Sequence, residues 1–150
     1  MPCRRVHVPV GATAGMGIAL YQARDEQPLN RVLEIIGGAL GGSLGARLPD
    51  YLEPATSSWH RGPAHSWVAI GISTRSMREM RKCSHYCRQR AAYYLALRSA
   101  NCSSILALLY ALIEAFWRAA SGFLSGLAAG YISHLALDAF TPRGIPLLCP

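Results

Sequence analysis

The sequence has few charged side chains. Only 15% of its 150 residues are Asp, Glu, Lys or Arg, against roughly 25% in typical soluble domains. Apolar residues make up 51% of the chain, which excludes an intrinsically disordered protein. At this length we expect one domain covering residues 1–150. The composition indicates either a membrane-associated protein or an unusually apolar helical bundle.

Acidic residues are especially scarce. Eight acidic side chains stand against fifteen basic ones, for a net charge of +7. Many basic residues fall between two apolar regions: Arg75, Arg78, Arg81, Lys82, Arg88, Arg90 and Arg98. Such a segment suits the cytoplasmic side of a membrane protein or contact with anionic lipid headgroups. We expect no nucleic-acid partner, because aromatic residues are few there and no nucleic-acid-binding motif accompanies them.

Cysteines are too few and too irregular for a disulfide framework. There are five, an odd number, which argues against systematic pairing. Cys83, His85 and Cys87 could supply three zinc ligands, but no fourth ligand is nearby. We interpret these cysteines as free thiols on a helix.

No segment has the alternating pattern of a strand, and helical spacing of apolar residues predominates. We therefore predict an all-α, up-and-down bundle of five or six helices. The clearest predicted helices cover residues 10–22, 31–48, 67 into the basic segment, 101–117 and 119–140. Pro49 is expected to end the second helix, and residues 50–64 are expected to form a loop. The best candidate membrane span is 119–137, close to the roughly 20 residues that a bilayer requires.

The second predicted helix is rich in glycine. Two series recur at intervals of four residues, Gly37, Gly41 and Gly45 in one and Gly38 and Gly42 in the other. This spacing lets helix backbones approach closely and is typical of helices packed in lipid. A phosphate-binding loop is excluded, because no Gly-Lys-Ser/Thr follows.

The last predicted helix carries the most informative polar pair. His134 and Asp138 are four residues apart, on one helical face. They lie in a largely uncharged stretch, where an unpaired ionisable group is costly. Either the two side chains satisfy each other, or they are two metal ligands presented together.

Further imidazoles and carboxylates occur at predicted helix ends and in the loop. They are His7, Asp50, Glu53, His60 and His65. A mixed set of these groups suits zinc, iron or manganese. Seven potential ligands exceed the needs of one tetrahedral ion, and they could hold two ions about 3.5–4 Å apart.

Three motifs around these residues resemble a known family. They are Leu-Pro-Asp-x-x-Glu-Pro at 48–54, His-Arg-Gly-x-x-His-Ser at 60–66, and Gly-Tyr-x-Ser-His-x-x-x-Asp-x-x-Thr-Pro-x-Gly-x-Pro at 130–146. Together they resemble the YdjM-like family, from about His7 to Pro150. Its members are described as LexA-regulated or LexA-binding, inner-membrane-associated, metal-dependent hydrolases.

The resemblance implies a helical fold distantly related to zinc-dependent phospholipase C, located at the bacterial inner membrane. The metal ligands that it implies are His7, Asp50, His60, His65, His134 and Asp138. Many relatives have Leu-Pro-Asp-x-Asp, whereas here Leu52 occupies the second acidic position and Glu53 follows. Glu53 could therefore be a ligand, a general base or an outer partner of a ligand.

We accordingly expect a membrane-associated, metal-dependent hydrolase of phosphoesters, with a divalent metal, zinc above all, as one ion or two. Membrane lipid and a phosphoester substrate are the expected partners. Glu53 and Arg61 are the candidate catalytic residues, because guanidinium suits phosphate; Arg61 could instead pair with Asp50 or Glu53. The alternative function is a non-catalytic membrane bundle, in which a structural metal or a His/Asp network serves an interaction role. Ion or proton passage lacks the several clean spans that a transporter needs.

Overall fold

The computed structural model describes residues 4–52, 67–101 and 103–140. These residues form helices and short connections, with no strand among them. The helices are α1 (Arg4–Gln22), α2 (Pro28–Gly45), α3 (Leu48–Leu52), α4 (Trp67–Ala100) and α5 (Ser104–Ala139). The all-α prediction is confirmed. The count of five or six bundle helices is not, because the described residues form four long helices and the short α3.

The difference lies mainly in α5, which we predicted as two helices. Residues 104–139 contain no proline, and Arg118, which separates the two apolar halves, is accommodated by ion pairs. Its Nη1 lies 2.7 Å from Glu26 Oε1 and 3.3 Å from Glu34 Oε1. With its charge neutralised, Arg118 does not interrupt the helix.

Two predicted boundaries also change near the candidate ligands. Helix α1 begins at Arg4 rather than Val10, so His7 lies within the helix. Residues 50–52, predicted as loop, belong to α3. Pro49 is in the first turn of α3. Backbone N–H groups there have no intrahelical acceptor, so the missing N–H of proline costs no hydrogen bond.

Helices α1 and α2 pack antiparallel through glycine. Gly15 lies against Gly38, and Gly11 lies against Gly42. A Cβ atom added to Gly42 would lie 2.1 Å from the carbonyl oxygen of Gly11. No larger residue fits there without separation of the two backbones, as the glycine spacing predicted.

Helix α5 packs parallel to α2 through a second set of glycines. Gly122, Gly126 and Gly130 lie, in that order, against Glu34, Gly38 and Gly42. A Cβ atom on Gly126 would lie 2.2 Å from the carbonyl oxygen of Gly38. Since α1 and α2 are antiparallel and α2 and α5 are parallel, the carboxyl ends of α2 and α5 meet the start of α1. The candidate ligands lie at this end of the bundle.

A buried polar network joins α4 to the other helices. Glu34 is fully buried, and its Oε2 accepts a hydrogen bond from Arg88 Nε at 2.9 Å. Ser84 and Ser121 are linked by a hydrogen bond of 2.8 Å between their hydroxyls. His134 lies thirteen positions after Ser121 in α5, a rise of about 20 Å. The network is therefore distinct from the candidate ligand cluster.

Candidate metal centre

Helix α5 presents His134 and Asp138 together, one turn apart. His134 Nε2 lies 3.4 Å from Asp138 Oδ2. The two residues are only 1% and 5% exposed. The predicted shared face of this pair is confirmed, and other helices approach it.

Helix α1 adds a second imidazole from the other end of the chain. His7 Nε2 lies 3.7 Å from Asp138 Oδ1. The rings of His7 and His134 are stacked, with centroids 4.0 Å apart and an interplanar angle of 21°. This arrangement follows from the antiparallel α1–α2 packing, which places the start of α1 beside the ends of α2 and α5.

The end of α2 orients His134. The Nδ1 atom of His134 lies 2.6 Å from the carbonyl oxygen of Ala46, the residue that caps α2. A carbonyl oxygen can only accept a hydrogen bond, so the proton of this bond is on Nδ1. The bond also satisfies one of the carbonyl groups left without an intrahelical donor at the end of a helix. In the neutral imidazole, Nε2 is then the nitrogen with a lone pair, and it faces the carboxylates.

Helix α3 brings Asp50 to the same place. Asp50 Oδ1 lies 3.6 Å from His134 Nε2. The Asp50 side chain is 24% exposed, whereas that of Asp138 is 7% exposed. Asp50 therefore forms the more exposed edge of the cluster.

The donor set and its spacing fit a metal ion. One ligand atom from each of His7, His134 and Asp138 can be chosen so that all lie within 4.8 Å of one another. Ligand atoms at about 2.0–2.1 Å from a tetrahedral zinc ion would be about 3.3 Å apart. The pairs at 3.4, 3.6 and 3.7 Å are close to that separation, and the two imidazoles approach different oxygens of Asp138. The cluster could thus close around a small divalent cation with little movement.

Four of the six predicted ligands converge: His7, Asp50, His134 and Asp138. His60 and His65, and the candidate catalytic residues Glu53 and Arg61, lie outside the described residues. Their roles stay predictions.

Cys83, His85 and Cys87, the alternative ligand group, lie on α4 and do not have metal-ligand spacing in the structure. Cys83 and Cys87 are free thiols on this helix, as predicted. Burial raises the pKa of the Cys87 thiol above its ordinary value, which makes it less reactive. Within residues 4–52, 67–101 and 103–140, His7, His134 and Asp138 form the one group with metal-ligand spacing.

Two features escaped the sequence reasoning. The contact of His134 with the Ala46 carbonyl involves a backbone atom, so no residue type in the sequence indicates it. It is seen only where α2 and α5 meet. Glu34 did carry a signal, because it is an ionisable residue just before a glycine-rich, apolar stretch. That pattern could have identified the buried network.

Comparison with known proteins supports the C-terminal part of the resemblance. Residues 101–150 match the family described as YdjM inner membrane protein. The match includes His134 and Asp138, and it does not extend to the 48–54 and 60–66 motifs. No curated protein and no solved structure matches the chain.

The predicted membrane localisation is confirmed by two findings. One is the match to an inner membrane family. The other is α5, the one helix among the described residues that is long and apolar enough to cross a membrane.

Proposed function

We propose that this inner-membrane protein is a metal-dependent hydrolase acting on phosphoesters. The observation that carries the proposal is the convergence of two imidazoles and two carboxylates from both ends of the chain. His7, Asp50, His134 and Asp138 would hold a divalent cation, with zinc as the expected ion.

Each residue has a distinct task in this proposal. His134 is held by the Ala46 carbonyl so that Nε2 is available to the metal. Asp138 lies close to both imidazoles, with one carboxylate oxygen near each, and brings negative charge to the inner part of the site. Asp50, the most exposed of the four, borders the side from which a substrate could approach. A bound divalent ion would lower the pKa of its bound water to about 7 and would polarise a phosphoryl oxygen.

The 53–66 segment would complete the site. His60 and His65 would add ligands for a second ion, and Glu53 would serve as a ligand or general base. Arg61 would bind phosphate through its guanidinium, which suits bidentate contact with oxyanions. These assignments rest on the motif resemblance alone.

A second function is favoured by one observation. His7, His134 and Asp138 are all at most 5% exposed, and closed sites are typical of structural metals. In this alternative the cation, or the His/Asp network alone, would fix α1 and α5 together in a non-catalytic bundle that interacts with another protein.

Hydrolysis assays on detergent-purified, metal-loaded protein distinguish the two functions. We expect turnover of at least one phosphomonoester, phosphodiester or phospholipid in a broad panel. His134→Ala should reduce that turnover by at least about 100-fold, because it removes a ligand. His85→Ala is the matched control, since His85 is an exposed imidazole on α4 that bonds to Gln89.

A full metal content without hydrolysis across the panel would favour the structural function. Equal turnover in wild type and His134→Ala would contradict the assignment of the hydrolysis to this site.

A further inference from the structure

The charged side chains of α2 and α5 point into the bundle. Glu34, Glu114 and Arg118 are each at most 3% exposed. Glu114 pairs with Arg98 at 3.1 Å, and Glu34 pairs with Arg118. A helix on the surface of a soluble protein has the opposite arrangement, with charges outside.

Arg31, the other charged residue of α2, is also turned away from the outer face. Its guanidinium donates hydrogen bonds to three carbonyl groups at the end of α1 and in the turn that follows: Ala23, Arg24 and Glu26. These bonds satisfy the donors of the guanidinium locally and hold the turn that follows α1.

The outer face of α2 is a continuous apolar stripe. It consists of Leu29, Val32, Ile36, Leu40 and Leu44, which are between 41% and 69% exposed. The glycines of α2 are buried on its other sides. From Leu29 to Leu44 the helix rises about 22 Å, which is most of the roughly 30 Å hydrocarbon core of a bilayer.

The first half of α5 continues this apolar surface. In its second half, the backbone at Ala119, Phe123 and Leu127 contacts the glycines of α2. The same helical face continues toward the start of α5, which extends beyond the start of α2, and its side chains there are exposed. These side chains are Ile105, Leu109, Leu112 and Phe116, between 48% and 81% exposed.

Helix α4 differs from α2 and α5 because it exposes charged side chains. Its first half exposes Arg75, Arg78, Glu79, Arg81 and Lys82. It packs on α5, and Arg88 reaches from it into the buried network. The outer face of α2 and the first half of α5 are thus apolar without exposed charge. Exposed charges lie on α4 and in the turns that follow α1 and α2, at Arg24, Asp25 and Arg47.

We propose that the outer face of α2 and the first half of α5 contact lipid acyl chains, while the first half of α4 faces water. Inward charges, outward large apolar residues and small residues between helices are the arrangement expected in lipid. Composition alone singles out α5 as a candidate span. In α2 the mean hydropathy is lowered by Arg31, Glu34 and glycines, none of which is on the outer face. This proposal does not depend on the metal chemistry.

Site-directed spin labelling tests the proposal. Single cysteines would replace Ile36, Leu40, Leu112 and, as the matched control, Arg78, each in full-length protein whose native cysteines are replaced. The labelled proteins would be reconstituted in vesicles of phosphatidylethanolamine and phosphatidylglycerol. Variants are compared only if their helical circular dichroism equals that of the parent.

We expect oxygen, which concentrates in lipid, to relax the labels at 36, 40 and 112 at least several-fold more than a water-soluble nickel chelate does. The label at 78 should show the reverse. Equal access of the nickel chelate to positions 36 and 78 would overturn the proposal. Strong label-to-label broadening at 36 or 40 would also overturn it, because a second copy of the chain would then cover the stripe.

Discussion

The imidazoles of His7 and His134 lie stacked, with ring centroids 4.0 Å apart, although they come from opposite ends of the chain. Two helix contacts bring them together. Glycines align α1 with α2, and further glycines align α2 with α5. The precision of the site therefore depends on backbone contacts that tolerate no Cβ atom.

The α2–α5 contact can be tested with an alanine substitution. A Cβ atom at Gly41 would lie 2.1 Å from the backbone oxygen of Phe123. We expect Gly41→Ala to reduce the free energy of unfolding by about 1–3 kcal/mol, as overpacking does. The control is Gly17→Ala, since a Cβ atom there meets nothing within 4 Å. It should be neutral or stabilise the helix by up to about 1 kcal/mol.

Thermal unfolding in detergent, followed by circular dichroism, measures both changes. Equal stability of Gly41→Ala and Gly17→Ala would show that the two backbones are not in contact.

The buried network gives a second prediction. Glu34→Ala would leave Arg88 without its carboxylate partner, and breaking a buried ion pair costs about 3–5 kcal/mol. The matched control is Glu79→Ala, which removes the exposed partner of Lys82. It should change the free energy of unfolding by less than about 0.5 kcal/mol. Denaturation in mixed micelles compares the two, and a small effect of Glu34→Ala would mean that Glu34 is not buried as described.

The packing of α4 on α5 predicts a difference between two thiols on one helix. Cys83 is exposed and Cys87 is buried, with its pKa raised chiefly by desolvation. A raised pKa leaves less thiolate at a given pH, so Cys87 should react more slowly. In variants that retain one of these cysteines, we expect maleimide to label Cys83 at least about 10-fold faster. After unfolding, the two thiols should react at similar rates. Similar rates in the folded protein as well would contradict the α4–α5 packing.

Helix type and the face shared by His134 and Asp138 could be predicted from periodicity, because local spacing determines both. The glycine series likewise predicted close helix packing. Helix continuity could not be predicted at Arg118, since its partners Glu26 and Glu34 are far away in the sequence. The start of α1 was predicted at Val10, whereas the helix begins at Arg4. The omitted turns contain His7, which lies at the site.

The candidate site was predictable only as a set of residue types. Imidazoles and carboxylates indicated a metal, and motif resemblance selected six of them. Their convergence depends on the parallel α2–α5 packing, which no local pattern specifies. The tautomer of His134 depends on a backbone carbonyl, so it has no sequence signature at all.

The central claim is that His7, His134 and Asp138 share a cation, and the metal content of the purified protein tests it most directly. Elemental analysis would compare wild type, His134→Ala, Asp138→Ala and the control His85→Ala, each purified in detergent and dialysed against trace zinc. We predict at least one equivalent of divalent metal per chain in wild type and His85→Ala. The other two variants should retain clearly less metal, because the loss of a ligand lowers the affinity at least about 10-fold. Unchanged metal content in both His134→Ala and Asp138→Ala would contradict the account.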